Sequence, residues 1–114
     1  MIRMVSPSLL SADFANLQRD IEMLNGSECD WLHIDVMDGM FVNNISFGIP
    51  VLASIRKSTD AFIDVHLMIE QPVRYVRRFC EAGADLVNCH VESDSIDKQL
   101  YTVLGGVLSL QCYP

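Results

Sequence analysis

The stretch that decides the fold is Trp31-Leu32-His33-Ile34-Asp35-Val36-Met37-Asp38-Gly39. Residues 31–36 are rich in β-forming side chains, which predicts a short buried strand. Because side chains alternate along a strand, His33, Asp35 and Met37 are expected on one face and the aliphatic residues between them on the other. Gly39 then allows the chain to turn where the strand ends.

His33 and Asp35 have the spacing of metal ligands on this predicted strand. Two residues along a strand separate the Cα atoms by roughly 6.6 Å. An imidazole and a carboxylate at that separation can bind one divalent cation. A surface pair or a hydrogen-bonded structural pair is the alternative, and the motif by itself leaves both interpretations open.

A second stretch, Phe62-Ile63-Asp64-Val65-His66-Leu67-Met68, repeats the pattern. It is again apolar, and it carries Asp64 and His66 two residues apart. Each of the two runs therefore brings a histidine, an aspartate and a methionine to a strand. The sequence predicts two neighbouring strands that contribute to one site.

Composition indicates a globular protein with an acidic surface. Of the 114 residues, 50% are hydrophobic and 20% are charged, enough for one small domain with a core. The net charge of −7 argues against nucleic acid and anionic membranes as partners. A small phosphate remains compatible, since backbone N–H groups at helix starts can hold it. No apolar run reaches membrane-spanning length and no signal peptide opens the chain.

The four cysteines form no C-x-x-C pair, and they are Cys29, Cys80, Cys89 and Cys112. Reduced thiols in a cytoplasmic protein are therefore expected. The first three are expected to fill space in the interior. Ligation of a metal by cysteine stays open on spacing alone.

Helical and strand patterns alternate along the chain. Strands are predicted over residues 4–10, 31–36, 61–69, 85–91 and 107–110. Helices are predicted after Ser11, over residues 49–57, from residue 71 and from residue 95 to 103, with a break at Gly105-Gly106 and an apolar loop over residues 40–48. Such alternation indicates parallel strands with right-handed crossovers. No glycine-rich dinucleotide fingerprint follows the first strand, which disfavours a Rossmann domain.

A (β/α)8 TIM barrel is the remaining architecture, but its eight units need roughly 200 residues or more. Residues 1–114 are therefore predicted to form one truncated domain, the N-terminal half of a TIM barrel with about four or five βα units. Four or five open parallel strands leave two sheet edges unpaired, which predicts a dimer or aggregation.

Several motifs, in order and with ordinary spacing, resemble the ribulose-phosphate 3-epimerase family from about residue 5 to residue 92. They are Ser6-Pro7-Ser8-Leu9-Leu10, Asp13-Phe14-Ala15-Asn16-Leu17, Leu32-His33-Ile34-Asp35-Val36-Met37-Asp38-Gly39, Asn44-Ile45-Ser46-Phe47-Gly48, Asp64-Val65-His66-Leu67-Met68 and Ala82-Gly83-Ala84-Asp85. The resemblance implies a (β/α)8 barrel of the pentose phosphate pathway that interconverts D-ribulose 5-phosphate and D-xylulose 5-phosphate.

The resemblance also implies roles for individual residues. His33, Asp35 and His66 would bind one divalent metal ion, commonly zinc, iron, manganese or cobalt. Asp35 would also be an acid/base catalyst, with Ser8 and His66 contacting the substrate and Met37 and Met68 lining the pocket. The partner would be a small sugar phosphate, and the family suggests a homo-oligomer. A metal and a carboxylate suit this chemistry, because a proton next to a ketone is removed through an enediolate.

Other polar residues of the matched region have less specific interpretations. His90 and Glu92 are expected to be structural or to support the site indirectly. Asp64 is expected to orient a ligand imidazole. Asn43 stands where the family usually has proline, which predicts a looser loop.

The tail from about residue 104 departs from the family pattern. A second acid/base aspartate, which is also the fourth metal ligand in the family, and later phosphate-binding loops are not found in it, so the 114-residue chain is expected to be a fragment with little activity. The alternatives are an epimerase for another ketose phosphate, such as allulose 6-phosphate, and a non-catalytic half-barrel.

Overall fold

A computed structural model of the chain describes residues 3–93, 102–104 and 107–112. The sheet contains β1 (Trp31–Met37), β2 (Phe62–Met68), β3 (Leu86–His90), β4 (Thr102–Leu104) and β5 (Val107–Gln111). The helices are α1 (Leu17–Asn25), α2 (Ile49–Arg56) and α3 (Val76–Ala82), with 3₁₀ turns at Leu9–Ser11, Phe14–Asn16 and Pro72–Arg74.

The first three strands have the predicted parallel order. β1 pairs with β2 and β2 pairs with β3, both in parallel, and the helices α2 and α3 connect them. In this register His33 lies beside Asp64, and Asp35 lies beside His66. The predicted α/β class and partial TIM barrel are thereby confirmed, and the register brings both polar motifs to one face of the sheet.

The C-terminal part of the sheet differs from the prediction. β5 is antiparallel to β3, and β4 is antiparallel to β5, so the prediction of a parallel fifth strand was wrong. Two residues between β4 and β5 suffice for an antiparallel hairpin, whereas a parallel crossover needs a dozen or more. Thr102 and Val103, predicted to be helical, lie in β4. The rest of that predicted helix and the Gly105-Gly106 break lie outside the described residues.

The segment predicted as a first strand is extended but makes an incomplete ladder with β1. The amides of Asp30 and Trp31 donate to the carbonyl of Val5 at 2.9 and 3.2 Å, and Ser8 forms a single parallel bridge with His33. Pro7 has no N–H to donate, which limits the pairing. The predicted strand over residues 4–10 is therefore reduced to this bridge.

The first helix begins later than predicted. Ser8, instead of Ser11, caps the first turn by accepting from the amide of Leu10 at 3.2 Å. Asp13 caps the next turn, and α1 starts only at Leu17. It ends at Asn25, with Gly26 as its C-cap.

The core lies between the helices and one face of the sheet. Side chains on this helix side of the strands are buried completely or nearly so, and they alternate with partly exposed ones along β1. Each fully buried aliphatic residue stabilises the fold by about 1.5–3 kcal/mol. The strand members of this layer are Leu32, Ile34, Val36, Ile63, Val65, Leu67, Val87 and Cys89, and helix members include Ile21, Leu52, Ile55 and Phe79.

The cysteines are not all reduced. Cys80 of α3 and Cys112, which follows β5, form a disulfide with Cα atoms 5.4 Å apart, so the prediction of reduced thiols was wrong for this pair. Spacing in the sequence cannot show that the antiparallel β5 returns to α3. Cys29 and Cys89 are free thiols. Among the described residues, no helix is both long enough and apolar enough to cross a membrane.

Candidate metal centre

Three side chains from β1 and β2 converge on the face of the sheet opposite the helices. His33 Nε2 lies 3.0 Å from Asp35 Oδ1, and His66 Nδ1 lies 3.2 Å from the same oxygen. One potential ligand atom from each of the three lies within 4.8 Å of the others. We call these three residues the metal cluster. The in-register pairing of β1 with β2 produces the convergence that the two sequence motifs predict.

A carboxylate on the neighbouring strand orients His33. Its Nδ1 is 2.7 Å from Asp64 Oδ2, and a carboxylate is only an acceptor, so Nδ1 carries the proton. When the ring is neutral, this bond favours the tautomer in which Nε2 carries the lone pair that a metal ligand requires. Asp64 was predicted to orient an imidazole, and the structure shows that this imidazole belongs to His33.

Asp35 is held from both sides. Its Oδ2 accepts a hydrogen bond of 2.5 Å from the hydroxyl of Ser8, while its Oδ1 faces the two imidazoles. Burial favours protonation, but the hydrogen bond from Ser8 and the neighbouring His33 outweigh it, so the pKa of Asp35 lies below its usual value. The carboxylate is thus ionised at neutral pH and available as a ligand or a base.

The two histidines of the metal cluster have opposite pKa shifts. The hydrogen bond with Asp64 raises the pKa of His33 above its ordinary value. Burial, reinforced by the nearby His90, lowers the pKa of His66. His66 therefore favours the neutral imidazole that metal binding needs.

His90 lies at the site, where the sequence analysis expected a structural role or indirect support. Its Nε2 lies 2.7 Å from Nε2 of His66, and its ring centroid lies 5.2 Å from that of Phe41. His90 thereby holds the nitrogen of His66 that points away from Asp35. The available signal in the sequence was the His-x-acid pattern of His90 and Glu92, which repeats that of His33 and Asp35. The register between β2 and β3 was needed to place His90 beside His66.

The donor set fits a divalent cation. Without an ion, a protonated His33 can donate from Nδ1 to Asp64 and from Nε2 to Asp35. A cation between the three groups would take the place of the Nε2 proton. Two imidazole nitrogens and one carboxylate suit zinc, iron, manganese or cobalt better than the all-oxygen coordination typical of calcium.

The two predicted pocket methionines lie on the same face as the metal cluster. Met37 and Met68 are register partners at the ends of β1 and β2. Met37 also borders a cavity of about 380 Å³ beside α3 that His33, Asp35 and His66 do not line. Contact of these methionines with a substrate stays a prediction.

The loop over residues 40–48 is tied to the strand ends by polar contacts. Asp38 accepts from the amides of Met40 and Phe41 at 2.9 Å and from the amide of Glu70 at 2.8 Å. Ser46 Oγ donates to the carbonyl of Asp35 at 2.7 Å. These bonds fix the backbone around the metal cluster.

Comparisons with known proteins identify the family of the chain. The model of the "Ribulose-phosphate 3 epimerase family" matches residues 4–104. Ribulose-phosphate 3-epimerase of Synechocystis sp. is 47% identical over 91 residues, 80% of this chain and 40% of that protein. The Treponema pallidum enzyme of the same name is 46% identical over 102 residues, which cover 90% and 47% of the two chains.

The same likeness extends to a plant protein. Ribulose-5-phosphate-3-epimerase, chloroplastic, of Arabidopsis thaliana is 50% identical over 91 residues, 80% of this chain and 32% of that protein. The matched part of the chain spans less than half the length of these relatives. The chain belongs to the ribulose-phosphate 3-epimerase family.

Proposed function

We propose that this chain supplies the metal-binding part of an active site that interconverts D-ribulose 5-phosphate and D-xylulose 5-phosphate. The observation that carries the proposal is the convergence of His33, Asp35 and His66 on one point of the open sheet face. The names of the relatives and the family match support the choice of substrate. A bound divalent ion would stabilise the negative charge that develops on the substrate oxygens.

Asp35 is the proposed acid/base group of the chain. Its Oδ1 is shared by both histidines, so Oδ2 is the oxygen available to take a proton from the substrate carbon next to the ketone. In the structure, the Ser8 hydroxyl donates a hydrogen bond of 2.5 Å to that oxygen. On substrate binding, Ser8 would turn its hydroxyl to the substrate and free Oδ2 for proton transfer.

Inversion at carbon requires a second proton donor on the opposite face of the enediolate. Among the described residues, Asp64 is the other carboxylate at the cluster, and its oxygens are already bonded to His33 and Asn88. We therefore expect the 114-residue chain to bind metal but to turn over substrate far more slowly than a full-length relative. This same observation favours the alternative of a non-catalytic metal-binding half-barrel.

A chimera tests the proposed function directly. Residues 4–92 of this chain would replace the matching residues of the Synechocystis enzyme, whose remaining part completes the barrel. With metal supplied, the chimera is expected to epimerise ribulose 5-phosphate in a coupled assay, and allulose 6-phosphate would be assayed beside it. The matched control is the same chimera carrying Asp35→Asn, which is expected to be folded and inactive. A folded chimera without activity on either sugar phosphate would contradict the proposal and favour the non-catalytic alternative.

Homo-oligomer formation also stays a proposal. It is supported by the sheet itself, in which β4 forms an edge and the extended residues before Ser8 cover only part of the edge of β1. Size-exclusion chromatography with light scattering at micromolar concentration tests it. A sharp monomer peak together with cooperative unfolding would show that the edges do not require a partner.

A further inference from the structure

We propose that Asn88 and Ser109 are positioning residues for the metal cluster, acting through Asp64 on the imidazole of His33. The inference rests on the proposed function, because it concerns the same metal ligands. The hydrogen bonds of both residues lead to Asp64 and not directly to the metal cluster. Together with Asp64 they form a hydrogen-bonded row across three strands, which we call the positioning row.

The positioning row is continuous from β5 to β1. Ser109 Oγ donates to Asn88 Oδ1 at 2.5 Å, and Asn88 Nδ2 donates to Asp64 Oδ1. The other oxygen of Asp64 accepts from His33 Nδ1 at 2.7 Å. The opposite nitrogen of that ring, Nε2, lies 3.0 Å from Asp35. Each residue in this series therefore fixes the orientation of the next one. The last residue, His33, is a proposed metal ligand.

The chemistry of the groups makes this arrangement directional. Asp64 only accepts, so Asn88 must present its NH₂ to the carboxylate, since its carbonyl oxygen would be repelled there. The Asn88 oxygen then points to β5, where the Ser109 hydroxyl donates to it. With one oxygen fixed by Asn88, the other oxygen of Asp64 is aimed at His33. This selects the tautomer with the proton on Nδ1 and leaves Nε2 free to bind a metal.

The strand register builds the positioning row. Asn88 is the β3 partner of His66, and Ser109 is the β5 partner of Asn88. In-register side chains share one face of a sheet, so the antiparallel β5 places a hydroxyl on the same face as the metal cluster. Ser109 lies beyond residues 4–104, the range matched by the family. The tail, which departs from the family pattern, thus contributes a contact to the family site.

Partial burial strengthens the hydrogen bonds of the positioning row. The side chain of Asp64 is 11% exposed and that of His33 is 24% exposed. Hydrogen bonds in such a shielded environment are stronger than in water, and neighbouring bonds reinforce one another. Loss of an outer partner of a metal-binding histidine typically lowers metal affinity by roughly 10- to 100-fold. A residue one bond further away is expected to have an effect near or below the lower limit.

The test uses the whole 114-residue chain and two readouts that a purely structural role would not change. Nitrogen-15 NMR of the metal-free protein, at a pH where the imidazole is neutral, reports which His33 nitrogen carries the proton. Titration with Co²⁺, followed by visible absorption, reports the affinity and the ligand geometry. Thermal unfolding is recorded for every variant, so that changes in affinity are compared among folded proteins.

Asn88→Ala is expected to reduce the share of the Nδ1–H tautomer and to weaken Co²⁺ binding roughly tenfold. Ser109→Ala is expected to weaken it about threefold, near the net worth of one neutral hydrogen bond. Ser109→Thr, which keeps the hydroxyl, should restore both readouts. The double variant should be no weaker than Asn88→Ala alone, because Ser109 acts through Asn88. Ser54→Ala, which removes a hydroxyl on α2, is the matched control and should change neither readout.

The positioning row would be refuted if Asn88→Ala and Ser109→Ala left the His33 tautomer unchanged and the Co²⁺ affinity within twofold. In that case, loss of Co²⁺ binding in Asp35→Asn would leave the proposed function standing. If the unmodified chain bound no Co²⁺, the proposed function would be wrong, and the tautomer of His33 in the metal-free chain would still decide the positioning row. Should Asn88→Ala fail to fold, the Ser109 variants decide the question.

Discussion

The two faces of β1, β2 and β3 are built from the same strands but by different physical rules. On the helix side, the aliphatic side chains of β1 are at most 5% exposed and belong to the hydrophobic core. On the site side, the side chains of His33, Asp35 and His66 are 14–24% exposed and are joined by hydrogen bonds. One face holds the fold together and the other carries the hydrogen-bonded cluster. Changes to one face should therefore leave the property of the other largely intact.

The largest expected contrast is between two free thiols. Cys89 lies on the helix side of β3 and is 0% exposed, and burial raises the pKa of its thiol to about 11. Cys29 is partly exposed. At pH 8 we expect a thiol reagent to label Cys29 roughly a thousandfold faster than Cys89, since both the thiolate and access to it are scarce at Cys89. Mass spectrometry of the labelled peptides measures the two rates, and urea should make them equal. Equal labelling in the folded chain would contradict complete burial of this face.

A truncation on the helix side should change stability alone. Leu32 is 0% exposed, so Leu32→Ala is expected to lower the free energy of unfolding by about 3 kcal/mol through lost burial and a cavity. The Co²⁺ affinity of the folded variant should stay unchanged. Urea unfolding and metal titration measure the two quantities. Met23→Ala is the control, because Met23 is 63% exposed and should shift stability by less than about 0.5 kcal/mol. A loss below 1 kcal/mol for Leu32→Ala would break the assignment of this face as the core.

A change on the site side should do the reverse. Asp35→Asn keeps the shape but removes the negative charge, and it is expected to weaken Co²⁺ binding by roughly 100-fold or more, beyond the usual loss of an outer contact. The free energy of unfolding should change by less than about 1 kcal/mol, since this carboxylate is not part of the apolar core. Asp60→Asn, on an exposed residue outside the cluster, is the matched control. Unchanged Co²⁺ affinity in Asp35→Asn would remove Asp35 from the metal cluster.

The smallest expected effect is at Gly39, just after the end of β1. Gly39 has φ of 76°, and an added Cβ would lie 2.9 Å from Cγ1 of Ile45. Gly39→Ala is expected to destabilise the chain by about 1–2 kcal/mol through the left-handed backbone. Gly48→Ala is the matched control, because nothing lies within 4 Å of its added Cβ. Differential scanning calorimetry compares the two. Equal melting temperatures for both variants would mean that the loop adjusts freely after β1.

The helix side could be predicted from sequence because alternation in residues 31–37 is a local property. Convergence of His33 and Asp35 with His66 also followed, since two similar strands in tandem usually pair. The family resemblance, confirmed by the comparisons, supplied the metal and the substrate as expectations. The assignment of metal and substrate roles to these residues remains a proposal.

The missed contacts depend on long-range register. Asn88 is unremarkable in a strand pattern, and it reaches the site only because β3 pairs with β2 at one particular offset. Ser109 requires in addition that β5 run antiparallel, which the expected βαβ alternation concealed. The first helix began later than predicted because Asp13 and Ser8 cap short turns before it. Two effects could not be judged from local sequence patterns. One is the competition between alternative helix caps, and the other is the pairing of strands that are distant in the sequence.

The bond between Cys80 and Cys112 closes a covalent ring with a sequence separation of 32 residues. Asn88 and Ser109 both lie inside this ring. If β5 detached from β3, its end would remain tethered beside α3, and re-pairing would be a local encounter instead of a search by a free chain end. A protease cut within the ring would likewise leave two fragments joined. On a gel the two fragments would separate only after reduction. The disulfide therefore keeps the tail covalently linked to the part of the chain that carries the site, even when the backbone between them is cut.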